Sequence, residues 1–174
     1  VCSSDLFVYP EDRFVQTVAA GTRVVARLQD RVLLLGVLAD RPEEEYGWIQ
    51  PARVLALEGA HPIHAVSAFM EKPSPAQAED AMARGALWNT LVLMAKLSTL
   101  WNLGWCCFPD LLARFEQLEA AIGTSEEGRV LGRIYKDMPS KNFSRDVLQD
   151  IAERVAVMEL RDVLWSDWGK PERI

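Results

Sequence analysis

The stretch that decides the fold is Val32–Leu38, VLLLGVL, seven residues without a charge or a polar side chain. A run this short and this apolar reads as a strand buried on both faces, the kind found where helices cover a sheet on either side. Pro10-Glu11-Asp12 precedes it and opens an amphipathic stretch carrying Phe14, Val18, Val25 and Leu28. Proline and acids in a first turn are helix-start chemistry. Downstream, Arg41–Glu45 (RPEEE) reads as a polar loop and Tyr46–Ile49 as a short apolar piece. Ile63–Met70 reads as a second strand stopped by Pro73, and Ser74-Pro75 as the cap of a helix that runs to Ala83 and ends at Gly85. Leu91–Ala95 is a third strand. Pro109–Ile122 is a helix with Leu112, Phe115, Leu118 and Ile122 on one face and Gly123 as its stop. Glu126–Met138 and Ser144–Ile151 are read as helical, and Val155–Leu160 as a last strand leading into Trp165-Ser166-Asp167. Strands alternating with helices predict an α/β domain, a mixed sheet flanked by helices.

Composition narrows the function. The chain has 174 residues, enough for one domain, with 49% hydrophobic and 25% charged residues. A net charge of -6 argues against a nucleic-acid surface. No apolar run approaches the ~20 residues of a membrane span. Cys2, Cys106 and Cys107 are too few for a disulfide framework, so a cytoplasmic location is expected.

Singly, the polar motifs say little. Glu71-Lys72-Pro73 ends a strand, where ligands of open α/β sheets sit, but a solvated charged pair before a turn is the favoured reading on spacing alone. Asn89 in Trp88-Asn89-Thr90 could bond only backbone in a turn at the start of a strand. Asp167 could close an Asx turn. His61 and His64 have no cysteine or carboxylate at ligand spacing. There is no G-x-S-x-G elbow, no Walker loop and no dinucleotide fingerprint.

Their order says more. Ser4-Asp5 with Phe7, the acidic loop before Tyr46-Gly47-Trp48-Ile49, Phe69–Pro73 (FMEKP), Leu87–Thr90 (LWNT) and Trp165–Gly169 (WSDWG) follow one another in register along the chain. In this the sequence resembles the sugar-1-phosphate nucleotidyltransferases, in their mannose-1-phosphate guanylyltransferase branch. The resemblance implies a single partial catalytic domain over residues 1–174, the C-terminal part of a Rossmann-like nucleotidyltransferase domain. The glycine-rich nucleotide loop of that family has no counterpart ahead of Asp5, so the chain reads as a fragment expected to be inactive alone. Val1–Leu6 also spells the in-frame translation of a common sequencing adapter and is read as not fully native.

The implied reaction is attack of a sugar-1-phosphate oxygen on the α-phosphate of a nucleoside triphosphate, most simply mannose 1-phosphate and GTP, with loss of pyrophosphate. Such transfers need alignment and charge neutralisation more than a protein nucleophile. The resemblance assigns Asp5 and Asp167 to Mg²⁺, Lys72 to the sugar phosphate, Glu71 and Asn89 to the sugar hydroxyls, and the backbone at Gly47 to the sugar. Trp88 is expected to pack. Other readings stay open: the same reaction with glucose 1-phosphate and UTP or dTTP, or a non-catalytic regulatory relative that binds a sugar nucleotide. A homo-oligomer is left open as well. Two departures stand out. Leu6 occupies the place of a preferred histidine, and Met138–Val147 (MPSKNFSRDV) replaces the S-I-D-x-x-[VI]-M-E pattern of mannose enzymes.

Overall fold

The computed structural model describes residues 6–28 and 30–169. The strands are β1 (Leu6–Tyr9), β2 (Val32–Leu38), β3 (Gly47–Glu58), β4 (His61–Glu71), β5 (Leu87–Met94), β6 (Val155–Glu159) and β7 (Leu164–Asp167). The helices are α1 (Glu11–Arg27), α2 (Pro75–Ala83), α3 (Leu97–Cys107), α4 (Pro109–Glu119) and α5 (Glu127–Lys136). The fold is α/β, with a five-stranded mixed sheet flanked by helices.

Strand β2 is the centre, and its burial follows from its pattern. Val32 and Leu34 face a cluster with Val157, Leu103, Val147 and Leu148. Leu33 and Leu35 face the other way, onto Val24 and Val25 of α1 and Met158. Successive side chains of a strand point to opposite faces, so two covered faces require an uninterrupted apolar run. The neighbours of β2 are of both kinds. It runs parallel to β6, with Val32 opposite Val155, and antiparallel to β5, with Leu38 opposite Leu87.

Hairpin β3–β4 closes the sheet on itself. Trp48 of β3 lies opposite Trp88 of β5, and Ile63 of β4 lies opposite Met158 of β6. The hydrogen-bonded order β2-β5-β3-β4-β6 therefore returns to β2. Register shifts between Gln50 and Ala56 bend the long hairpin enough to reach both neighbours. A separate two-stranded ribbon pairs β1 with β7, Leu6 opposite Asp167.

Several boundaries differ from the sequence reading. Tyr46–Ile49 leads into a twelve-residue strand, not a short piece. Strand β5 begins at Leu87, so Trp88-Asn89-Thr90 lies inside it. Helix α3 went unforeseen because LSTLWNLGWCC shows little contrast between faces. Helix α4 ends at Glu119, and Ile122 is exposed while Ala121 takes the buried position. Ser144–Leu148 is a short π-type turn rather than a regular helix. At α2 the reading holds: Gln77 Oε1 accepts the Ser74 N–H at 2.9 Å, and Gly85 takes a φ of +72°.

Candidate active site

One cavity of about 270 Å³ collects residues from three places in the sheet and the ribbon. Its walls include Gly47, Glu71, Lys72, Asn89 and Asp167. These are all the residues picked from the sequence except Asp5, which lies outside the described residues. Leu6, which follows Asp5 in the chain, also lines the cavity and lies opposite Asp167 in the ribbon register.

Gly47 begins β3 and lies opposite Glu71 at the end of β4. A Cβ at Gly47 would sit 3.0 Å from Glu71 Oε2, 3.0 Å from Phe69 Cζ and 3.3 Å from Asn89 Cβ. A glycine there lets the carboxylate, the phenyl ring and the asparagine close up around one point of backbone. Burial pushes the Glu71 carboxyl above its ordinary pKa, against the opposing charges of Lys72 and Arg145. A raised pKa in the fold means that the folded chain holds the proton more tightly than the unfolded one. Ionised Glu71 therefore lowers stability, and the penalty fades as pH falls through its folded pKa. Glu71→Gln is expected to raise the unfolding temperature at neutral pH, with the gain shrinking toward pH 4. A thermal melt series across pH checks this, and an equal shift at every pH would contradict it.

Asn89 is 4% exposed. Its Oδ1 accepts the Leu91 N–H at 3.2 Å, while its Nδ2 is buried without a hydrogen-bond partner. A buried donor left unpaired costs about 1–3 kcal/mol, and this one belongs to a residue that lines the cavity. The plain reading, that Asn89 serves only its own backbone, accounts for Oδ1 alone. A bulge explains the geometry. Leu34 lies opposite Leu93 but Gly36 lies opposite Asn89, so Thr90–Val92 face one residue of β2. Thr90 Oγ1 anchors the bulge by donating to the Leu35 carbonyl at 2.8 Å.

Lys72 follows β4 with a left-handed backbone, φ +49°. Its Nζ is 3.9 Å from Glu45 Oε2 and both side chains are well exposed, so the pair is worth little. Asp167 Oδ1 accepts the Gly169 N–H at 2.8 Å, the Asx turn that the plain reading anticipated. A carboxylate has four acceptor positions, so this bond does not exhaust it. Trp88 packs as expected, edge-on to Tyr46 and Trp48, with the Arg41 guanidinium 5.1 Å over its ring. His64 Nδ1 lies 2.9 Å from the Ala52 carbonyl, and no group of three or more metal-ligating side chains occurs among the described residues. Glu45, Tyr46, Leu91 and Trp165 also line the cavity, and the sequence reading gives none of them a role in the site.

No family model matches the chain. Two curated relatives do, the mannose-1-phosphate guanylyltransferases of Klebsiella pneumoniae and Escherichia coli, each 27% identical over 146 residues, or 81% of this chain. A solved structure from Thermus thermophilus, described as a mannose-1-phosphate geranyltransferase, superposes with a TM-score of 0.76 at 29% identity over 94% of this chain. The chain resembles the mannose-1-phosphate guanylyltransferases. It spans 30% of the length of those two relatives and 44% of the Thermus chain. A mannose-6-phosphate isomerase from Helicobacter pylori shares the fold, with a TM-score of 0.73 at 17% identity over 94% of this chain and 62% of its own. The resemblance to sugar-phosphate nucleotidyltransferases, first indicated by five short motifs, thus extends over 81% of the sequence and is matched by a similar backbone. No helix among the described residues is long and apolar enough to cross a membrane.

Proposed function

We propose that the protein transfers a nucleotidyl group from a nucleoside triphosphate to a sugar 1-phosphate, with GTP and mannose 1-phosphate as the pair, yielding GDP-mannose and pyrophosphate. One observation carries this reading: five residues picked by motif order, from positions 47 to 167, line a single cavity. Within it, Glu71 accepts hydrogen bonds from sugar hydroxyls and Asn89 Nδ2 supplies a donor that has no partner in the protein. Lys72 pairs with the sugar phosphate as a point charge at the cavity wall. The Gly47 backbone, at the same cavity, contacts the sugar.

The donor chemistry suits Mg²⁺, a hard cation usually held by one or two carboxylates together with substrate phosphates. Asp167 and, by the resemblance, Asp5 would hold it, and bound there it would neutralise charge on the α-phosphate. The chain's own residues then fix the attacking sugar-phosphate oxygen in line with that phosphate.

The test is pyrophosphate release by the full-length protein with Mg²⁺ and each nucleotide in turn, against mannose 1-phosphate and glucose 1-phosphate. Turnover is expected with GTP and mannose 1-phosphate above the other pairs. Preference for another pair would keep the reaction and change the substrates. No turnover with any pair, alongside tight sugar-nucleotide binding, would favour a regulatory relative.

A further inference from the structure

Four described residues other than glycine have a left-handed backbone: Asp30, Lys72, Leu91 and Asp162. Aspartate adopts that region in turns at small cost, and Asp30 and Asp162 lie in the bends before β2 and after β6. Lysine and leucine do not, and both of these line the same cavity. Leu91 is the more unusual. Its φ is +60° within a strand, and its side chain is 61% exposed although Trp88, Asn89 and Thr90 before it are all buried. An exposed leucine alone needs no explanation. Here exposure and a strained backbone fall on one residue, at a cavity that carries Glu45, Glu71, Lys72, Asn89 and Asp167 beside the apolar Leu6, Tyr46 and Trp165. Local strain that the surrounding bonds enforce is a mark of functional positions, and the Asn89 and Thr90 side chains enforce this one by accepting the N–H groups of Leu91 and Val92.

We propose that Leu91 is a specificity-determining contact of the cavity, packing its side chain against the apolar C–H face of the sugar ring of the bound sugar phosphate. The inference rests on the reading of the cavity as a sugar-phosphate site. Polar groups on the other walls meet the hydroxyls, and Leu91, more exposed than the buried Tyr46 of the same lining, supplies apolar surface that a pyranose ring covers on binding. The side chain gains burial only when a ligand is present, so its removal costs the empty protein little.

The experiment uses the full-length protein with mannose 1-phosphate and GTP, and the variants Leu91→Gly, Leu91→Ala and Leu91→Asn. The KM for mannose 1-phosphate is expected to rise about tenfold in all three, with the KM for GTP unchanged, as loss of part of a buried leucine implies. Glycine and asparagine fit the left-handed backbone, so those variants are expected to unfold above Leu91→Ala, which separates the backbone from the side-chain contact. An unchanged KM for mannose 1-phosphate in the variants, beside a wild type that saturates normally, would overturn the role of Leu91 while leaving the cavity's function standing. Failure of the wild type to bind any sugar phosphate would overturn both.

Discussion

Asp167→Asn in the full-length protein is expected to lower turnover by on the order of 10²–10⁴, the scale of removing one preorganised electrostatic group from a transition state. The substitution isolates charge. Asp167 Oδ1 accepts the Gly169 N–H, and an asparagine oxygen accepts the same bond in the same turn. The β1–β7 ribbon and the cavity wall should then keep their shape, and thermal unfolding should be nearly unchanged. What disappears is the negative charge that a Mg²⁺ ligand supplies. The Mg²⁺ concentration giving half-maximal rate should rise together with the loss of turnover. If Asp167 serves only its turn, asparagine replaces it with no penalty. Normal turnover at low Mg²⁺ would therefore remove Asp167 from the reaction.

Lys72→Ala is expected to raise the KM for the sugar phosphate by about 10–100-fold, the equivalent of one hydrogen bond to a charged group at about 1.5–3 kcal/mol. The fold should tolerate the change. Lys72 is exposed, and its 3.9 Å approach to Glu45 contributes little. Alanine inherits the left-handed backbone without relieving it, so the empty protein should melt near the wild-type temperature. The KM for the nucleotide should stay close to its original value. Equal effects on both substrates would place the lysine on a shared electrostatic field instead of on one phosphate.

How far the sequence discloses the molecule depends on the range of the forces involved. Val32–Leu38 discloses its strand because burial on two faces demands an unbroken apolar run, and composition records that directly. Its partners leave no such record: one parallel and one antiparallel neighbour are equally compatible with the same seven residues. Strands β1 and β7 have four residues each, LFVY and LWSD, too short for a period to show. Of the cavity, Gly47, Glu71, Lys72, Asn89 and Asp167 were readable only through the order of their motifs, since each alone is as well explained by a turn. The left-handed backbone at Leu91 could not be read at all. Glycine or asparagine would have announced it, whereas leucine conceals it.

The ribbon of β1 and β7 sets an order of assembly. Its four residue pairs join stretches close to the two ends of the described chain, whereas hairpin β3–β4 joins neighbours. The ring itself joins Val32 to Val155, so loop length hardly separates the two, but an isolated two-stranded ribbon is marginal in water. The five-stranded ring with its Gly47, Glu71 and Asn89 wall can therefore form first, and the Asp167 wall docks onto it last. In unfolding, the ribbon is expected to open while the ring stays intact. A ligand spanning both walls would act as a clasp between the earliest and the latest parts of the fold, tying the lifetime of the closed ribbon to occupancy of the cavity.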